Sequence, residues 1–259
     1  MSMVDFNFNT SEKIKETIGF ISQTFAKTKM SKIIVATSGG VDSSVALALC
    51  VKAVGADKVL TLSLPYSGLN SRGLSLSQQV INYFGIPKEN SEIVNIETVV
   101  EKITSSLDVG SNDKLRKGNV MARVRMIFLY DRAKMQNALV CGTENKSEYY
   151  LGYFTRFGDE ASDIEPLRSF YKTQVYALAK EIGIPTDIIS EPPTAGLWDG
   201  QTDEKQFGFS YKEADQILSL HFDSGIPFED ISLQDFPSRD LIQDTVLRNE
   251  FKHKVPYIR

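Results

Sequence analysis

Apolar residues recur along this chain in two rhythms. Ile14, Ile18, Ile21 and Phe25 are spaced by four, three and four positions, the interval that lines one face of a helix. Behind them Ile33-Ile34-Val35-Ala36 is a continuous apolar run, as expected of a strand covered on both faces. From there the two patterns alternate. A helix is expected from Val41, a strand over Lys58 to Leu64, a helix from Leu74 to Phe84, a strand over Glu92 to Ile96 and a helix over Glu97 to Leu107. The polar stretch Asp108 to Lys117, which holds Gly110, predicts a mobile loop. A long helix follows over Asn119 to Gln136, with Val120, Val124, Ile127 and Phe128 on one side, and then a short strand over Ala138 to Cys141. Gly142 to Leu167 reads as loop and short helix, and Lys172 to Ile182 as a helix ending before Gly183.

Glu191 to Glu204 is built of turn residues and carries the single Trp, Trp198; so long an irregular stretch predicts a functional loop or lid. Tyr211 to Leu220 and Arg239 to Lys252 predict two further helices. Strands alternating with helices call for an α/β fold: a doubly wound, mainly parallel sheet with helices on both faces. One domain over residues 1–259 is expected, with an N-terminal helix (11–29), an α/β core (32–190), and a lid loop with C-terminal helices (191–259).

Composition narrows the function classes. Hydrophobic residues make up 42% and charged residues 24%, ordinary for a water-soluble globular chain, and a net charge of −4 argues against a broad nucleic-acid-binding surface. No apolar stretch approaches the roughly 18 residues that span a membrane, and Met1 to Thr10 lack the regions of a signal peptide, so a cytoplasmic location is expected. Cys50 and Cys141 fall in apolar runs, where a thiol serves as a small hydrophobe. With only His221 and His253 and no HExxH, a zinc site built on histidine is not expected.

The chemistry concentrates first in Ser38-Gly39-Gly40-Val41-Asp42-Ser43-Ser44, directly behind the first strand. Two glycines let the backbone turn and bring its N–H groups close to an anion, at the start of a helix whose N-terminus faces the same anion. A carboxylate among phosphate oxygens repels them unless a cation lies between, so Asp42 implies Mg²⁺ bridging it to a polyphosphate. No Lys follows the glycines, which sets the string apart from GxxxxGK[ST] loops. The alternative reading is a strand-to-helix turn with a solvated Asp42 as cap.

Gly142-Thr143-Glu144-Asn145-Lys146-Ser147-Glu148 begins where the Ala138 strand is expected to end, and strand carboxyl ends are where such sheets hold ligands. Glu148 is therefore a second carboxylate that could meet the metal. Lys117-Gly118-Asn119 with Arg123 and Arg125 brings guanidinium groups toward the same edge, suited to phosphate or simply to solvent. Tyr153-Phe154-Thr155-Arg156-Phe157-Gly158-Asp159 and Asp163 add aromatic faces, a cation and carboxylates, a set that suits a nucleotide with an acidic ring.

SGGVDS resembles the pyrophosphate loop of the ATP pyrophosphatase superfamily. Together with KGNVMARVRM, GTENKSE, GYFTRFGD, EPPTAGLWDGQTDE and SYKEAD it closely resembles ammonia-dependent NAD synthetases, over most of Lys32 to Asp215. The resemblance implies a Rossmann-like ATP pyrophosphatase fold, ATP as co-substrate, and ATP contacts from Ala36, Thr37, Ser38, Gly39, Gly40, Val41, Asp42, Ser43, Thr143, Lys172 and Thr194. It implies Mg²⁺ on Asp42 and Glu148, and deamido-NAD contacts from Arg123, Arg156 and Asp163. Arg156 stands where Lys is common in the family. Near the C-terminus the family places a His-Lys pair on the dinucleotide, and here two registers compete, Phe251-Lys252 and His253-Lys254, so Lys252, His253 and Lys254 are all candidates. A homodimer is also implied.

The expected reaction adenylates the nicotinate carboxylate of deamido-NAD and then lets ammonia displace AMP, giving NAD⁺. Asp159 is the candidate for taking a proton from ammonium, with Ser38 helping to place the nitrogen. No stretch is left for an amidase domain, so free ammonia is the expected donor. SGGVDS by itself also suits a GMP synthetase-like or tRNA-modifying enzyme, or a non-catalytic adenine-nucleotide sensor.

Overall fold

In the computed structural model, which describes Val4, Phe6 and residues 8–258, four strands form one parallel sheet in the order β3-β2-β1-β4. They are β1 (Lys32–Ala36), β2 (Val59–Ser63), β3 (Ser91–Ile93) and β4 (Ala138–Cys141). Eleven α-helices occur among the described residues: α1 (Thr10–Thr28), α2 (Val41–Val54), α3 (Ser71–Tyr83), α4 (Glu97–Ser106), α5 (Lys114–Gln136), α6 (Lys146–Leu151), α7 (Lys172–Ile182), α8 (Thr186–Ile189), α9 (Asp203–Phe207), α10 (Tyr211–Leu218) and α11 (Arg239–Asn249).

Period-two alternation sorts each strand onto two cores. Ile33, Val35, Val59, Leu139 and Cys141 face the layer of α1, α2, α3 and α7, whereas Ile34, Leu60, Leu62, Ala138 and Val140 face α4 and α5. Helix α2 is buried from Val41 to Cys50 except at Asp42, so the helix behind the glycines is itself core and its start is fixed by packing. A third apolar cluster joins α6, α10 and α11 around Tyr171, Phe209 and Phe228. No helix among the described residues is long and apolar enough to cross a membrane.

Three elements depart from the sequence pattern. Helix α5 begins at Lys114, because Asp113 accepts a bond from the Arg116 N–H and caps it, and the expected loop shrinks accordingly. Gly118 lies inside that helix, where a Cβ would meet Leu197 Cδ1 at 2.7 Å; the lid packs on this bare spot. Strand β3 stops at Ile93, although Val94 and Ile96 still donate to the carbonyls of Ser63 and Pro65. The C-terminal helix ends at Asn249 and tightens into a 3₁₀ turn over Glu250–His253.

Candidate active site

The site opens at the carboxyl ends of β1 and β4. Gly40 caps α2 in an extended conformation and offers no side chain to the first N–H groups, which are left pointing outward where an anion can take them. Gly39 turns at φ +83°, and a Cβ there would meet the Gly73 carbonyl oxygen at 2.1 Å, so the loop lies directly on the start of α3. Ser38 is exposed; its hydroxyl shares a bond of 3.1 Å with Ser43 and accepts from the Gly40 N–H, which holds the turn. Beside it Ala36, Thr37, Leu62, Leu64, Pro65, Leu74 and Arg125 surround a cavity of about 110 Å³. Its mainly apolar wall at the ends of β1 and β2 matches what an adenosine group needs.

Glu148 is brought to Asp42 by local chemistry. Asn145 caps α6 by accepting from the Glu148 N–H, while the Glu148 carboxylate accepts from the Asn145 N–H. Asn145 Nδ2 also donates to Asp42 Oδ1 at 2.9 Å, tying the two loops together. Lys172 Nζ, with its side chain 2% exposed, lies 2.5 Å from Asp42 Oδ2 and 3.2 Å from Glu148 Oε1, over the Tyr211 ring. Burial raises the Glu148 carboxyl to about 8 against the pull of Lys172, and Lys172 is itself raised because the carboxylates outweigh its burial. Lys172, an expected ATP contact, thus also clamps the two acids. A single cation thus reaches both carboxylates, which fits a Mg²⁺ held by one or two carboxylates plus phosphate oxygens.

Sequence reasoning did not find four of the supporting residues. Asn145 was legible as the N-x-x-E of a capping box. Tyr211, Asp203 and Asp215 had no such signal. Asp203 accepts from the hydroxyls of Tyr153 and Tyr211 and from the Ala195 N–H, which fastens the lid to the aromatic wall. Asp215 accepts from Ser147 Oγ at 2.5 Å and from the Thr173 N–H, holding the start of α7 and hence Lys172.

The substrate-side candidates gather around Tyr153 to Asp159. Arg123 is exposed and donates to the Arg156 carbonyl, and the Arg156 guanidinium lies 4.8 Å from the Phe251 ring. Lys252 donates to the carbonyls of Gly152 and Phe154, and His253 meets the Tyr149 carbonyl at 2.6 Å. Lys254 is not brought in: it is exposed and pairs with Glu250. Asp163 is exposed, yet one of its oxygens accepts from the Val140 N–H at 2.7 Å, so it also closes the end of β4. Thr143 follows β4, and Thr194 sits exposed in the lid with its hydroxyl accepting from Gly196. Asp159 keeps surface toward solvent while crowding around its carboxyl raises its pKa, opposed by bonds from Thr155 and by Arg125.

The lid from Glu191 to Thr202 has no helix or strand, and its polar anchors include Asp203 and Gln201. Amide hydrogen exchange is expected to be fast in 194–202 and around 108–112 without substrates, and slowed when ATP and substrate bind. Equal protection in both states would remove the gating role.

The model of the NAD synthase family matches residues 13–256. The NH(3)-dependent NAD(+) synthetase of Thermococcus sibiricus is 38% identical over 246 residues, covering 94% of each chain. Its Thermococcus kodakarensis counterpart is 40% identical, covering 93% of this chain and 94% of its own. Among solved structures, an NMN synthetase from Francisella tularensis aligns with a TM-score of 0.85 at 32% identity, over 98% of this chain and 99% of that one. The NH3-dependent NAD synthetase of Campylobacter jejuni aligns with a TM-score of 0.79 at 25% identity, over 98% and 100%.

Proposed function

The chain belongs to the NAD synthase family, and we propose that it uses ATP to convert deamido-NAD to NAD⁺ with ammonia, releasing AMP and pyrophosphate. Support comes chiefly from the convergence of Asp42 and Glu148 on one cationic atom beside the uncapped start of α2. A carboxylate is a poor electrophile because its oxygens leave badly; esterification by AMP gives one oxygen a good leaving group. The N–H groups at the start of α2, Val41 to Ser43, and the ammonium of Lys172 bind and orient the phosphates. Mg²⁺ on Asp42 and Glu148 would neutralise charge on the pyrophosphate. Arg123, Arg156, Lys252 and His253 give the substrate side cationic and hydrogen-bonding groups, with aromatic faces beside them. Asp159 takes the proton of ammonium, and Ser38 helps place the nitrogen.

Mass-spectrometric detection of NAD⁺ from deamido-NAD, Mg·ATP and ammonium tests this. No product under those conditions would sink it, while pyrophosphate release with a guanine-nucleotide precursor or tRNA instead would favour the related pyrophosphatases. A nucleotide sensor would release none.

The likeness to an NMN synthetase favours a second reading, amidation of nicotinate mononucleotide. The two differ in what kcat/KM demands. With deamido-NAD as the physiological substrate, its adenylate half adds binding energy, and kcat/KM is expected to exceed that of the mononucleotide by about tenfold or more, the equivalent of about 1.4 kcal/mol. A mononucleotide preference would reverse the assignment.

A homodimer accompanies this reading. Helix α5 leaves Leu115, Ile127 and Met135 at 62%, 56% and 63% exposure, more apolar surface than a solvated helix needs. Sedimentation is expected to give a dimer; an active monomer at low concentration would contradict it.

A further inference from the structure

The C-terminal segment ties down the loop that carries Asp159. Asn249 Nδ2 donates to the Leu151 carbonyl at 2.9 Å and His253 meets that of Tyr149 at 2.6 Å, so two carbonyls in the last turn of α6, which lack onward partners within the helix, are satisfied from the tail. Lys252 Nζ reaches further along the chain. It donates to the carbonyls of Gly152 at 2.5 Å and Phe154 at 2.9 Å, and lies 5.2 Å from the centre of the Phe154 ring.

The Phe154 carbonyl and the Thr155 N–H belong to one planar peptide group. Lys252 bonds its oxygen, and its N–H donates to Asp159 Oδ1 at 2.9 Å. Thr155 is held in turn by its hydroxyl, which donates to Asn119 Oδ1 on α5 at 2.9 Å. Phe154 and Thr155 are each 9% exposed, so little water reaches the peptide that stands between ammonium and carboxylate. Hydrogen bonds in series polarise one another in such a medium. An ammonium on the carbonyl draws electron density away from the N–H, which becomes a stronger donor to an anion. That bond is strongest when Asp159 is ionised, so the charge of Lys252 favours the carboxylate over the acid.

Other charges face Asp159 as well. Arg125 comes from α5, Glu144 precedes α6, and Glu160 and Glu165 follow Asp159 in the chain. These three acids oppose ionisation of Asp159, whereas Arg125 and Lys252 favour it. Burial pulls Lys252 down from the ordinary lysine range, and Asp159, Glu144 and Glu160 hold it up.

We propose that Lys252 is a positioning residue for Asp159, acting through the Phe154–Thr155 peptide to hold the carboxylate in place and keep it ionised for its proton transfer. The proton transfer rests on the amidation reading; the link from Lys252 to Asp159 stands on the two hydrogen bonds to one peptide.

In Lys252→Met the pH at which the amidation rate climbs is expected to move up by about one pH unit, a tenfold change in the proton's affinity for the carboxylate. Lys252→Gln, which removes the charge and keeps a donor, is expected to move it the same way and carries the test should the Met variant fail to fold. Lys252→Arg keeps the charge and is expected to return the midpoint to near wild type. A purely structural cap would lower the rate at every pH and leave the midpoint in place, and that result would overturn the proposal. So would a raised KM for deamido-NAD with an unmoved midpoint, which makes Lys252 a substrate contact. Carbon-13 NMR of protein labelled at the aspartate carboxyls, with the Asp159 signal assigned through Asp159→Asn, reads the same midpoint without turnover. If the protein forms no amide product, the amidation reading fails, and this titration still decides whether Lys252 acts on Asp159: a midpoint equal in wild type, Met and Gln variants sinks the link.

Discussion

Alanine at Asp42 or at Glu148 is expected to lower kcat by roughly 10² or more, the scale for losing one preorganised electrostatic group. The two differ in their side effects. Either change leaves Lys172 facing one carboxylate instead of two at a position 2% exposed, so Asp42→Asn and Glu148→Gln, which keep the shapes, are the cleaner pair. Steady-state rates at saturating Mg²⁺, with circular dichroism to confirm folding, check the result. Rates near wild type would remove the bridging role from both residues.

Asp159→Asn is expected to separate the two half-reactions. Adenylation needs the phosphate loop and the Asp42 side, whereas amidation needs a nitrogen with an available lone pair. The variant should form NAD⁺ slowly, by roughly 10² or more if general-base help is lost, yet retain deamido-NAD-dependent exchange of labelled pyrophosphate into ATP. The sign of the pH effect follows from the raised pKa of Asp159. The wild-type amidation rate should climb as pH rises through that pKa and the carboxylate ionises. In the Asn variant that climb disappears, and only the supply of neutral ammonia at higher pH recovers part of the rate. Asp42→Ala should lose both activities. Exchange lost as severely as NAD⁺ formation would return Asp159 to substrate binding or loop structure.

The strands and α7 were legible because their signals are local. Ile33 to Ala36 is a covered strand in any context, and Lys172–Ile182 ends at a glycine in the left-handed region. The sequence pattern predicts a later start for α5, since Gly118 and the polar, charged residues before it argue against helix, and only the contact with Leu197 makes glycine useful there. Glu92 to Ile96 has strand composition, but past Ile93 it no longer builds a ladder on β2. In the site, SGGVDS and the N-x-x-E cap announce themselves by spacing. Lys172 between Asp42 and Glu148 does not, since its partners lie far away in the chain.

The contact between Gly39 and Gly73 bears on whether the phosphate loop can be moved between proteins. A Cβ at Gly39 would strike the Gly73 carbonyl at 2.1 Å, and one at Gly73 would strike the Ser38 carbonyl at 2.6 Å. Both obstacles are backbone, so no choice of side chain elsewhere relieves them, and substituting both glycines together adds two collisions where a compensating pair would remove one. The transferable unit is therefore two segments, the strand-loop-helix that carries Ser38 to Ser44 and a separate helix start presenting bare main chain against it. A chimera that transplants the loop alone onto another parallel sheet inherits the sequence without the surface that sets its curvature.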